Sequence, residues 1–147
     1  MILHAGLIAL RSNGAWRGAL ISGSSGAGKS DLMLRALDAG FRLVADDRTV
    51  AWASEERLFG RAPEALVGLI ELRGLGVLSE PPLAQAEASM MVRCEPFAAE
   101  LDRAPDPEWA SIAGVKIPLL RLHGLDASAP AKLSRALRRL GLGRGEA

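Results

Sequence analysis

Eight consecutive residues, Gly23-Ser24-Ser25-Gly26-Ala27-Gly28-Lys29-Ser30, satisfy G-x-x-x-x-G-K-[ST] at every fixed position. Small residues let the backbone curl so that successive N–H groups point inward and hold phosphate oxygens. A helix opening near Ser30 adds the positive end of its dipole. Lys29 is then placed to reach the β- and γ-phosphates of a nucleotide, and the Ser30 hydroxyl to ligate Mg²⁺. The run stands between a predicted strand and a predicted helix, which is the context the pattern requires. A flexible Gly/Ser turn opening an ordinary helix would not need all of those fixed positions at once.

Phosphoryl transfer needs more than a cradle. It needs metal ligands and a group that orients or deprotonates the acceptor. Asp46-Asp47 ends a hydrophobic strand shortly after the loop and its helix. In a mixed sheet that position could face the γ-phosphate. Two adjacent acids repel, so burial of both would raise the pKa of one. The plainer reading is an acid pair capping the next element. Glu71 lies in Ile70-Glu71-Leu72-Arg73-Gly74-Leu75-Gly76. A charge between apolar strand neighbours can simply face water, although the following Gly-x-Gly permits a close backbone approach or a sharp bend. His4 is one polar residue in an apolar strand, open to either a structural or a catalytic reading.

These residues need elements to hold them. Residues 2–10 read as a strand, Ser12-Asn13-Gly14 as a tight turn, and Trp16 to Ser22 as the returning strand. Leu32, Met33, Ala36 and Leu37 recur at helical spacing after Ser30, and Gly40 ends that helix. Phe41 to Ala45 is a short buried strand. Thr49 to Ala53 and Arg57 to Phe59 form a hairpin around Ser54-Glu55-Glu56. Ala84 to Glu95 and Ile112 to Leu122, bent at Gly114, are two further strands, and Pro96 to Trp109 is a polar connector. Ala129 to Leu142 is an amphipathic helix with Leu133, Leu137 and Leu140 on one face. Lys132, Arg135, Arg138 and Arg139 lie away from that face, as a solvated basic surface. The expectation is a single α/β domain over residues 1–147.

Composition narrows the partners. The 147 residues carry 18 basic and 17 acidic side chains, a net charge of +1. That balance argues against a nucleic-acid binder, which usually carries a basic excess. No run of apolar residues is long enough to span a membrane. Cys94 is the lone cysteine, so an intramolecular disulfide and a cysteine-based metal site are excluded. A cytoplasmic location is expected.

The order of these pieces resembles a known family. A histidine near the start of a strand precedes the Gly23–Ser30 loop; Leu43-Val44-Ala45-Asp46-Asp47 and then Ile70-Glu71-Leu72-Arg73-Gly74-Leu75-Gly76 follow. The order is similar to the catalytic domain of bacterial HPr kinase/phosphorylase. The resemblance covers about residues 3–80 well and the remainder loosely. It implies a P-loop-containing mixed sheet related to phosphoenolpyruvate carboxykinases. It implies ATP- and Mg²⁺-dependent phosphorylation of a serine of the phosphocarrier protein HPr or a paralogue, and in many members the reverse reaction with inorganic phosphate.

By that resemblance Gly23, Ser24, Ser25, Gly26, Ala27, Gly28, Lys29 and Ser30 hold the phosphates, and Ser30 and Glu71 bind Mg²⁺. Asp47 is the general base, His4 lies beside the transferred phosphate, and Arg73 lies near phosphate. Arg121 in Ile117-Pro118-Leu119-Leu120-Arg121 matches a later catalytic arginine. The separate N-terminal domain of long members does not precede His4 here, which suggests the short proteobacterial form made of the catalytic domain alone. Long members are hexamers, so a homo-oligomer is expected. Two other readings stay open: a small-molecule P-loop kinase, and a non-catalytic nucleotide sensor.

Overall fold

The computed structural model describes residues 1–97 and 101–143. Residues 98–100 of the expected connector, and residues 144–147, lie outside the described residues. In chain order the elements are β1 (Ile2–Leu3), β2 (Gly6–Ser12), β3 (Ala15–Gly23), α1 (Lys29–Asp38), β4 (Arg42–Ala45), β5 (Thr49–Ser54) and β6 (Arg57–Arg61). After a 3₁₀ turn at Glu64–Leu66 come β7 (Leu69–Leu72), β8 (Gly76–Ser79), β9 (Ala86–Glu95), β10 (Glu108–Ile112), β11 (Val115–His123) and α2 (Ala129–Gly143).

Among the described residues nine strands form one mixed sheet, ordered β1-β5-β6-β9-β3-β2-β4, with β10–β11 joined through β11 to β9; β7 and β8 form a separate pair. The expected mixed α/β sheet is therefore present. Strands β3, β9 and β11 run parallel to one another. Their C-terminal ends meet at one end of the sheet, where Gly23 pairs with Cys94 and Cys94 with Leu122. Ligands in α/β folds collect at such ends because the following loops converge there.

Helices α1 and α2 share a face of this sheet. Leu32, Met33 and Ala36 of α1 and Leu133 and Leu137 of α2 pack with Ile8, Ile21, Val92 and Cys94. Each fully buried leucine contributes about 1.5–3 kcal/mol, so the apolar faces, rather than helix propensity, fix both helices in place. A second cluster around Leu7, Leu20, Val44 and Ile117 fills the opposite face. No helix among the described residues is long and apolar enough to cross a membrane.

Two stretches differ from the reading of the sequence. The first expected strand is interrupted at His4-Ala5: β1 pairs with β5, whereas β2 pairs with β3 and β4. The change of partner is anchored by the Thr49 hydroxyl, which donates to the Ala5 carbonyl at 2.8 Å. The second difference lies between Glu108 and His123. Instead of one bent strand, Ala113 and Gly114 both adopt left-handed backbone (φ 50° and 79°) and fold the segment into the β10–β11 hairpin. Such two-residue turns favour Asn-Gly or Asp-Gly. Asn13-Gly14 advertises its turn in that way and Ala113-Gly114 does not.

Candidate functional site

The phosphate-loop sequence leaves β3 at the converging strand ends and enters α1 at Lys29. Gly28 is the N-cap, with φ 91°, and has no side chain to bond the helix's first N–H groups. Those donors belong to the positive end of the α1 dipole and await an external acceptor. That is a physical reason for an anion to settle there.

The loop is braced from below. A methyl group on Gly124 would lie 2.7 Å from the Ala27 carbonyl oxygen, so only glycine lets the turn after β11 come this close. Arg35 of α1 locks the same turn. Its guanidinium donates to the Asp126 carbonyl at 2.8 Å and to the Gly124 carbonyl, and its Nε pairs with Asp31 at 2.9 Å. Leu125 then lies against Gly28. The bracing role of Arg35 and Gly124 is not visible in the motif. The spacing of Asp31 and Arg35, one helical turn apart, is the one sequence signal that could have suggested half of it.

Above the loop is a cleft of about 710 Å³. Ser25, Gly26, Gly28, Lys29 and Ser30 form one side of it, and Asp46, Asp47, Glu71 and Arg73 face them. Three segments far apart in sequence therefore converge. One bond joins two of them: the Glu71 backbone N–H donates to Asp46 Oδ2 at 2.8 Å. Burial pushes the Asp46 carboxyl above its usual pKa. The Glu71 N–H opposes that shift, the neighbouring charges of Asp47 and Glu71 add to it, and Lys29 pulls the other way. Asp46 is half-buried and engaged, whereas Asp47 is exposed and held in left-handed backbone at φ 62°. The acid pair thus splits into a structural member and a solvent-facing one.

Carboxylates facing a loop built for an anion repel it unless a cation intervenes. Among the described residues no group of three or more His, Cys, Asp or Glu could hold a metal ion alone. This donor set suits Mg²⁺, which keeps waters and takes one or two protein oxygens together with substrate phosphates.

Five expected residues fall outside the cleft lining: Gly23 and Ser24 border a separate hollow beside Cys94, Ala27 is fully buried, and His4 and Arg121 lie elsewhere. His4 is exposed at the β1–β2 break, bracketed against the Asp46-Asp47 turn by the Leu3–Thr49 pairing and the Thr49–Ala5 hydrogen bond. Arg121 lies in β11 opposite Arg93 of β9. Its guanidinium donates to Glu108 at 2.8 and 3.1 Å and to Glu95 at 2.6 Å. These carboxylates, Glu108 first, raise its already high pKa, and Arg121 in turn lowers that of Glu108.

Comparison with known proteins follows the same lines. Residues 3–83 match the family described as HPr Serine kinase C-terminal domain. An HPr kinase/phosphorylase of Streptococcus sanguinis (strain SK36) is 37% identical over 116 residues, covering 71% of this chain and 37% of its own length. One from Limosilactobacillus reuteri (strain DSM 20016) is 35% identical over 131 residues, covering 82% of this chain and 39% of its own. The chain thus spans under two fifths of the length of these curated relatives. A solved structure of an HPr(Ser) kinase/phosphatase from Coxiella burnetii superposes with a TM-score of 0.81 at 24% identity, covering 98% of both chains. That likeness establishes a shared fold.

Proposed function

The chain belongs to the family of the HPr serine kinase C-terminal domain, and from that premise we propose an ATP- and Mg²⁺-dependent protein-serine kinase acting on HPr or a paralogue. The observation that carries this reading is the bond from the Glu71 N–H to Asp46. It ties the acid turn to the start of the Glu71–Gly76 segment, and both line one cleft with Lys29 and Ser30, which supports a reading of that cleft as cradle, cation ligands and base together.

In the proposed reaction, loop N–H groups and Lys29 hold the β- and γ-phosphates. Ser30 and Glu71 are the residues to hold Mg²⁺, which when bound would neutralise charge on the phosphate oxygens. Asp47 accepts the seryl proton as the serine oxygen bonds to the γ-phosphorus. The bond from that phosphorus to the β–γ bridging oxygen breaks, and ADP leaves. In the reverse direction Asp47 returns the proton while inorganic phosphate takes the phosphoryl group, giving pyrophosphate. His4 stands between Leu3 and Ala5, which pair and bond with Thr49 two positions after Asp47, and is the residue to steady the transferred group. Arg121 would reach that group only by leaving its two carboxylates.

A protein acceptor also suits the hairpin that carries Glu71. Leu75 and Val77 at its tip are 70% and 61% exposed, an apolar surface next to the cleft that a small metabolite does not need.

The test is incubation of the protein with labelled Mg-ATP and an HPr-type protein, followed by phosphoserine analysis. Phosphoserine on the acceptor is expected, and Asp47→Asn abolishes it while nucleotide affinity stays within a few-fold. Transfer only to a metabolite would overturn the substrate class. Nucleotide binding without transfer would replace a kinase by a sensor.

A further inference from the structure

The sheet end away from the phosphate loop carries a second, half-open pocket of about 440 Å³. Its position follows from a fork in the sheet. Along one edge of β9, β6 pairs at Ala86 and Glu87 and then gives way to β11, which joins from Met91. On the other edge the register with β3 slips: Gly18 pairs with Ala88 and Ala19 with Met90. Ser89 is the residue left over. A bulge of this kind re-aims a side chain out of the normal alternation. Here it directs Ser89 into the cavity beneath the C-terminal half of α2.

The Ser89 side chain is the first sign of a ligand. The residue is 1% exposed, and its Oγ has no hydrogen-bond partner among the described residues. Buried hydroxyls are normally satisfied, so an orphan facing a cavity marks a missing partner. The second sign is charge. Lys116 and Arg139 line the same space, and among the described residues no acidic one does. Among the described residues neither has a carboxylate partner. The Lys116 ammonium rests 4.8 Å from the centre of the Trp109 ring instead. The third sign is the remaining wall, built from the Trp109 ring, Pro118 and Leu140. An apolar cleft of a few hundred Å³ with a few convergent polar groups is the ordinary form of a small-molecule site.

We propose that this cavity binds a small organic carboxylate with an apolar body. The carboxylate takes the positive charges of Arg139 and Lys116 and accepts the Ser89 hydroxyl hydrogen. The body lies on Trp109, Pro118 and Leu140. Ser89 is five residues before Cys94, which pairs with Gly23, so the two sites are about 16 Å apart along β9. The proposal is therefore independent of phosphoryl transfer at the loop.

The test is calorimetric titration of the full chain with octanoate, with octan-1-ol as the uncharged control, alongside tryptophan emission. One octanoate per chain is expected, with octan-1-ol binding at least tenfold more weakly. Arg139→Gln, an exposed substitution that leaves the core intact, should weaken octanoate at least tenfold and leave octan-1-ol unchanged. Ser89→Ala should weaken octanoate several-fold. Trp109→Phe should remove the emission change while heat is still released. Lys29→Ala should bind octanoate normally. The proposal is overturned by any one of three results: no saturable octanoate binding, equal binding of the alcohol, or full affinity in Arg139→Gln.

Discussion

The two ends of β9 each carry a cavity, and they are built by different means. At the C-terminal end the parts come from short, continuous motifs, and backbone does most of the work: uncapped N–H groups, close carbonyls and glycines. At the end that begins with the Ser89 bulge, single side chains from β9, β10, β11 and α2 meet with no motif among them. The first kind of site is intolerant of added atoms and dependent on one charge. The second kind tolerates substitution and fails gradually. Four measurements separate the two.

The largest effect is expected at Lys29. Its ammonium is the cation of the loop itself, and removal of one preorganised charge-stabilising donor costs about 10²–10³-fold in kcat. Lys29→Ala should therefore cut transfer to an HPr-type protein by at least that factor in a single-turnover assay. Near-normal transfer would remove the loop from the mechanism. Next comes Gly124→Ala, which tests the bracing from below. The added methyl meets the Ala27 carbonyl oxygen at 2.7 Å and the Gly28 oxygen at 3.2 Å. Both are backbone atoms and cannot rotate aside. A stability loss of about 1–3 kcal/mol is expected from such overpacking, together with weaker nucleotide binding. Urea unfolding and nucleotide titration read the two losses, and an unchanged midpoint would show that the brace is slack.

The same contrast explains what the sequence discloses. The gathering of Lys29, Ser30, Asp46-Asp47 and Glu71 about one cleft was foreshadowed because phosphate and metal chemistry would demand those residue types in local order. The strand–loop–helix context was legible because Leu32, Met33 and Ala36 keep a helical period and bury together. The division of labour within the acid pair was not legible. It depends on the Glu71 N–H, which arrives from 25 residues away. The β10–β11 hairpin was hidden because Ala113-Gly114 is an unadvertised turn. The basic face of α2 was read as solvated, and Arg138 and Arg139 are indeed exposed. Arg139 nevertheless borders a cavity, because the sheet forks beneath it, and a fork is set by pairing register that no local pattern records.

At the bulge end Ser89→Ala should behave in the opposite sense to Gly124→Ala. The hydroxyl is buried without a partner among the described residues, and deleting it relieves a desolvation cost of about 1–3 kcal/mol at the expense of little packing. An unliganded protein should gain about 1 kcal/mol in urea unfolding. A clear loss would mean that Oγ is satisfied after all, and the comparison between the two ends would weaken.

The smallest effect concerns Cys94, where β9 meets the loop end. Cys94 is 1% exposed, and burial pushes its thiol pKa up from 9.0 to about 11, against a smaller opposing pull from Lys29 and Arg35. In the unfolded chain the thiol ionises near 9.0, so the folded state binds the proton more tightly. The stability linked to this group is fully present below pH 9.0 and is lost as pH rises toward 11. Cys94→Ala cannot titrate and should show a shallower alkaline decline across that window. It also carries a constant loss from the missing sulfur. The slope is therefore the informative quantity: parallel declines for the two proteins would show that the thiol sits in a wetter site than its burial implies. Alkylation by iodoacetamide at pH 8 reads the same chemistry independently. It should be slow in the native protein and fast after unfolding, since only the thiolate reacts.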